Sequence, residues 1–133
     1  MKHMPILLSG KPTVYHADMS APEGALKGAL GAPVTEVVTL YFADKSEKGE
    51  KDARQFTDML TKEADGLVAL DLGWIQEEVE YEGAKGRAMF AVMGWTSVDA
   101  HMAFRGSESF KNNVHLLRDE PKGIEMHHYT NQL

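Results

Sequence analysis

The chain contains no cysteine. That excludes disulfides, zinc–thiolate sites, iron–sulfur clusters and cysteine nucleophiles together. Long apolar runs are missing too: nothing approaches the ~18 residues of a membrane span. The short "MPILL" run near the start is followed by no small-residue cleavage site. There is no glycine-rich phosphate loop, no Gly-x-Ser-x-Gly elbow and no His-x-x-x-His spacing. Nucleotide chemistry, nucleophilic hydrolysis and a metal site are therefore not expected.

Positive charge is also in short supply. Lys and Arg total 14 against 20 Asp and Glu, giving a formal net charge of −6 and a pI near 5.5. No basic stripe exists to follow a phosphate backbone, so nucleic acid is not an expected partner. The one basic stretch, residues 45–54, is interleaved with Glu47, Glu50 and Asp52, as on the solvated face of a helix. The expectation is a cytoplasmic protein with neither nucleic-acid nor membrane partners.

What is present suits a single globular domain. With 133 residues, 43% of them hydrophobic, the chain can bury roughly two-thirds of its unfolded surface. Residues 1–34 are broken by Pro5, Pro12, Pro22 and Pro33 and by Gly10, Gly24, Gly28 and Gly31. They read as an N-terminal arm and linker, with "TVYHA" (residues 13–17) as a short strand able to dock. The body is assigned to residues 35–133.

That body opens with "TEVVTLYF", β-branched and aromatic, hence a strand. Ala53, Phe56, Met59, Leu60 and Ala64 then recur at helical spacing, and Gly66 supplies the stop. "LVALDLGWIQEEVEY" reads as a strand with an irregularity at Gly73. "EGAKG" is a turn and "RAMFAVMGW" a strong strand. Thr96 or Ser97 caps a helix through Arg105, "RGSES" interrupts it, "FKNNVHLLR" resumes it, and "GIEMHHYT" closes as a strand. The order β-α-β-β-α-β is the ferredoxin-like split arrangement of the α+β class.

The strand "RAMFAVMGW" is apolar on both faces, with Ala88, Phe90 and Val92 on one and Met89, Ala91, Met93 and Trp95 on the other. Helices cover one face of such a sheet. With no spare element in the chain to cover the second, another copy is the simplest cover, and a homodimer is expected.

In "GWTSVDAHMAFRGSESF", the Trp95-x-Ser97-x-x-Ala100 opening followed by Ser107-x-x-Phe110 resembles the second-helix signature of the antibiotic biosynthesis monooxygenase superfamily. Over residues 35–131 the resemblance implies a dimeric α+β barrel, two ferredoxin-like units packed sheet to sheet around a cavity. The family it points to includes cofactor-free quinone-forming monooxygenases, haem-degrading oxygenases, polyketide cyclases and isomerases. Many members carry a histidine three residues before the serine matching Ser107. Here that place holds Phe104, and His101 lies one turn earlier.

"LLSGKPTVYHA" (residues 7–17) echoes "LLRDEPKGIEMHHY" (residues 116–129) in its paired leucines, its proline four residues on and its histidine. Some members of that family carry two units in tandem, so residues 1–34 are either the remnant of a preceding repeat or a chance match.

Neighbouring residues on a strand point to opposite faces, so His127 and His128 cannot share one cavity or one metal. Ile124, Met126 and His128 read as the set facing the helices. Glu125, His127 and Tyr129 form the polar set suited to a cavity. His127 is the first candidate for a general base, His101 the second, and Tyr129 a candidate to hold an enolate oxygen. Trp95 at the strand–helix corner, with Trp74, Met89 and Met93, is assigned to ligand contact. His115 falls on the solvent side of its helix.

The expected function is an enzyme acting on a hydrophobic, aromatic or polyketide-like small molecule, with neither cofactor nor metal. In an oxygenase version the base removes a phenolic proton and the anion meets dioxygen in a dry pocket. In a cyclase version it enolises a poly-ketone. The competing expectation is a non-catalytic ligand-binding or stress-related barrel.

Overall fold

The computed structural model describes residues 2–7, 14–19 and 24–130. Along the chain run β1 (Lys2–Leu7), β2 (Val14–Met19), α1 (Ala25–Leu30), β3 (Val34–Phe42), α2 (Glu47–Glu63), β4 (Leu67–Ile75), β5 (Val79–Tyr81) and β6 (Ala84–Trp95). Then come α3 (Val98–Arg105), α4 (Glu108–Asn113), a 3-10 turn (Val114–Leu117) and β7 (Gly123–Thr130). From β3 onward this is the expected β-α-β-β-α-β unit. Its strands lie in the spatial order β4-β6-β3-β7, every pair antiparallel, while β5 pairs only with β6. The class is α+β and the arrangement ferredoxin-like.

Strand alternation divides the interior into two cores. On one face Val38, Leu40 and Phe42 of β3 and Met89, Met93 and Trp95 of β6 meet α2 and the later helices. Ser46 caps α2 by accepting the Gly49 N–H at 2.9 Å, and Ala53, Phe56 and Leu60 form its buried stripe. Each large apolar side chain so buried contributes about 1.5–3 kcal/mol.

The second face corrects two expectations. Phe90 and Val92 are buried within a single chain, beneath Tyr15, Ala17 and Met19 of β2 and Ala29 of α1. The chain therefore does possess its own cover, and the doubly apolar strand needs no second copy to account for it. That cover comes from the segment read as arm and linker: β1 and β2 form an antiparallel hairpin, and β2 adds to β4 through Ala17 opposite Ile75. "ALKGAL", read as linker, is helix α1. Six residues around a glycine are too few to show a helical period, and the helix is held by docking rather than by propensity. Residues 8–13 of the apparent repeat lie outside the described residues.

Gly73 is not where the strand loses register. The shift falls between Leu67 and Ala69. Gly73 is instead the close approach at which β2 crosses, since a Cβ there would collide with the Asp18 carbonyl oxygen.

Candidate functional site

The helix-facing side of β3 runs Val34, Glu36, Val38, Leu40, Phe42, and Glu36 is its one charged member. A carboxylate buried there is tolerated only with partners. Register supplies them: Glu36 stands opposite Met93 of β6 on one side and His128 of β7 on the other. Trp95, two residues farther along β6, donates its indole Nε1–H to Glu36 Oε1 at 3.1 Å. His101 of α3 brings Nε2 to 3.2 Å from the same oxygen. Glu36 is 4% exposed and His101 3%.

The position of His101 follows from how α3 begins. Ser97 accepts the Ala100 N–H at 3.0 Å, so the helix starts directly after the β6 corner. Its first turn lies against Gly66, whose φ of +87° favours glycine and where a Cβ would stand 2.7 Å from that of Ala100. His101 then falls beside the Trp95 ring at a centroid distance of 4.8 Å.

His128 Nε2 lies 2.8 Å from His101 Nδ1. The direction of this ring–ring bond follows the tautomer: with the His101 proton on Nε2, toward Glu36, Nδ1 is the acceptor. His128 must then donate through Nε2, which leaves its own Nδ1 as the free lone pair. Glu36, His101 and His128 thus form a directed chain from a buried carboxylate to a ring whose side chain is 35% exposed. Burial holds the His128 imidazole below its ordinary value. The Glu36 charge opposes this, and His101, Arg105 and His127 add to it. The neutral, proton-accepting form therefore persists below the usual histidine range.

Beside this chain lies an apolar cavity of about 80 Å³ between the sheet and the helices. Glu36, His101, Met93 and Trp95 form its inner wall, and Phe104, Phe110, Leu117 and Met126 close it.

Of the residues singled out from sequence, His101, Trp95 and Met93 come together at this cavity. Met89 is buried under the helices away from it, and Trp74 donates to Glu50 of α2 at 2.6 Å and packs on Phe42. His127 and Tyr129 lie on the opposite face of the edge strand β7, both exposed, with His127 opposite Val37. From β7 the cavity is lined by Ile124 and Met126, on the face that sequence reasoning took for plain core; His128 shares that face but does not line the cavity. Glu36 was missed altogether. Its signal was legible: one acidic residue on an otherwise apolar strand face demands a buried partner.

The donor atoms of Glu36, His101 and His128 lie within 4.8 Å of one another, so a divalent cation could be held by two imidazoles and a carboxylate. Of their mutual contacts the ring–ring one at 2.8 Å is a hydrogen bond, while Glu36 lies 3.2 Å from His101 and 3.9 Å from His128 as an ionic neighbour.

No family model matches the sequence, and no curated protein is significantly similar to it. Solved structures do share the fold. SnoaB, a cofactor-independent oxygenase from Streptomyces nogalater, is 15% identical, with 75% of this chain and 93% of that one covered at a TM-score of 0.55. A candidate antibiotic biosynthesis monooxygenase from Caulobacter crescentus is 13% identical, covering 77% and 92% at 0.53. A dimeric protein of unknown function and ferredoxin-like fold from Bacteroides fragilis is 11% identical, covering 74% and 95% at 0.50. The resemblance carried by Trp95 to Phe110 therefore holds at the level of fold. Among the described residues no helix is long and apolar enough to cross a membrane.

Proposed function

We propose that this protein is a small-molecule enzyme working by general-base catalysis, with His128 as the base and Glu36 and His101 as the groups that orient it and stabilise its protonated form. The observation carrying this reading is the Glu36–His101–His128 chain beside the apolar cavity. Both ring nitrogens of His101 are engaged, so the free lone pair belongs to His128 Nδ1. A substrate reaching past Met126, which lines the cavity while His128 stands just beyond it, would give its acidic proton to that atom. The imidazolium formed is then stabilised by Glu36, whose Oε2 lies 3.9 Å from Nε2. The fold is shared with SnoaB, a cofactor-independent oxygenase, and the version proposed is oxygenation without a cofactor of a phenolic substrate whose anion reacts with dioxygen. The same base would enolise a poly-ketone.

The reading is tested by oxygen uptake and product analysis over a panel of hydroxylated aromatics and linear poly-β-ketones. For a turned-over compound, kcat/KM should rise with pH through a limb below the ordinary histidine pKa of about 6.5. No turnover across the panel leaves a binding protein. A limb at or above the ordinary value removes His128 as the base. Activity abolished by a chelator would favour a metal in the same donor set.

A homodimer is the proposed assembly, as the Bacteroides fragilis protein is dimeric. With the second sheet face already occupied by β2 and α1, contact should involve another surface, such as the edge strand β7 with its exposed Tyr129. Light scattering is expected to give twice the mass of 14.7 kDa. A monomer at micromolar concentration rejects it.

A further inference from the structure

We infer that the substrate carries an anionic group, a carboxylate in the simplest case, recognised by Arg105 and Arg118, which line the cavity. This rests on reading that cavity as the substrate site. Both arginines line it, together with the apolar walls and Glu36. Among the described residues neither has an ion-pair partner, although the protein carries 20 acidic side chains against 14 Lys and Arg. Elsewhere Lys48 pairs with Asp52 and Arg54 with Glu50, one helical turn apart on α2. Most lysines and arginines of the described residues lack an ion pair, and what sets Arg105 and Arg118 apart is that both line one apolar cavity.

Arg105 is also held in place. It follows His101 by one turn of α3, and its guanidinium lies over the Phe110 ring at 6.0 Å from the centroid. Phe110 itself is part of the cavity wall. A planar guanidinium stacked on an aromatic presents its N–H fork edge-on, the geometry that matches a carboxylate. Glu36 is the one acidic group of the lining, and it is already engaged by Trp95 and His101 on the inner wall. The cavity therefore joins apolar walls to two guanidinium donors, and the charge of Arg105 bears on the nearby His128 ring. A molecule matching that lining has an apolar body that bears an acidic O–H or C–H and a carboxylate.

The test uses salicylate and its neutral isostere salicylamide as single-ring probes, with binding measured by calorimetry and by backbone amide shifts of the intact protein. Salicylate should bind at least roughly tenfold more tightly than salicylamide. In Arg105→Gln/Arg118→Gln the preference should fall below about twofold while salicylamide binding is unchanged, and Arg105→Lys should recover part of it. Equal affinity for the two probes, an undiminished preference in the double variant, or no saturable binding of salicylate overturns the inference. None of these readouts requires turnover. Equal binding of both probes would remove the anion specificity and leave the base reading standing, whereas a failed pH–rate limb would remove the base and leave the anion site standing.

Discussion

His128→Ala is expected to lower kcat/KM by roughly 10²–10⁴-fold, the usual range for loss of a general base. It should leave the fold intact. The side chain is 35% exposed and sits on the edge strand β7, so its removal opens no sealed cavity and strands no buried charge. Glu36 keeps its contacts with Trp95 and His101 in the variant. His128→Gln is the stricter comparison, because the amide can still donate to His101 Nδ1 but offers no lone pair of imidazole basicity. Both variants should lose the acid limb of the pH–rate profile, with melting temperatures within a few degrees of the parent. His127→Ala serves as the internal control, since its ring lies on the other face of the same strand. If His127→Ala costs as much activity as His128→Ala, the base has been placed on the wrong face.

Glu36→Ala is expected to destabilise the protein by roughly 3–5 kcal/mol, the range for breaking a buried interaction by deleting one partner. Three effects add. The Trp95 indole N–H loses its acceptor at 3.1 Å, and the His101 Nε2 loses its carboxylate at 3.2 Å. Both residues are nearly sealed from water, at 1% and 3% exposure, so solvent cannot replace what is lost. The small side chain also leaves space between β6 and β7. Glu36→Gln keeps an acceptor and most of the volume, so it should unfold far less readily while still losing much of the activity. Equilibrium urea unfolding measures both. An alanine variant as stable as the parent would show that the cluster is not the cohesive unit described, and a fully active glutamine variant would show that its charge has no part in the chemistry.

The fold was legible because its signals are redundant. "RAMFAVMGW" cannot be read as anything but a strand, Ser97 and Ser107 both cap the helices they precede, and the order of elements admits few topologies. The candidate site was half legible, for a reason that lies in the physics of alternation. Parity along β7 was read correctly, with Ile124, Met126 and His128 facing the helices. The inference that an apolar-flanked face is merely core then discarded His128. What reverses it is a residue far away in sequence: Glu36, brought opposite His128 only by the β3–β7 register. Pattern along one segment cannot show which polar residue waits across the sheet. The N-terminal cover was missed for a related reason, as short elements that hold by docking leave little periodicity of their own.

The rung joining Glu36 to His128 also fixes when the site comes into being. β3 is the first strand of the ferredoxin-like unit and β7 the last, whereas β4 and β6 pair earlier in the chain order. A chain emerging from the ribosome can gather α2, β4 and β6 around β3 while the face of Glu36 toward β7 is still wet. Such an intermediate has most of its core but not the rung between Glu36 and His128. The pairing of β7 along β3 is what sets His128 opposite Glu36 and brings Ile124 and Met126 into the cavity wall. The proposed site is therefore complete only when β7 lies along β3.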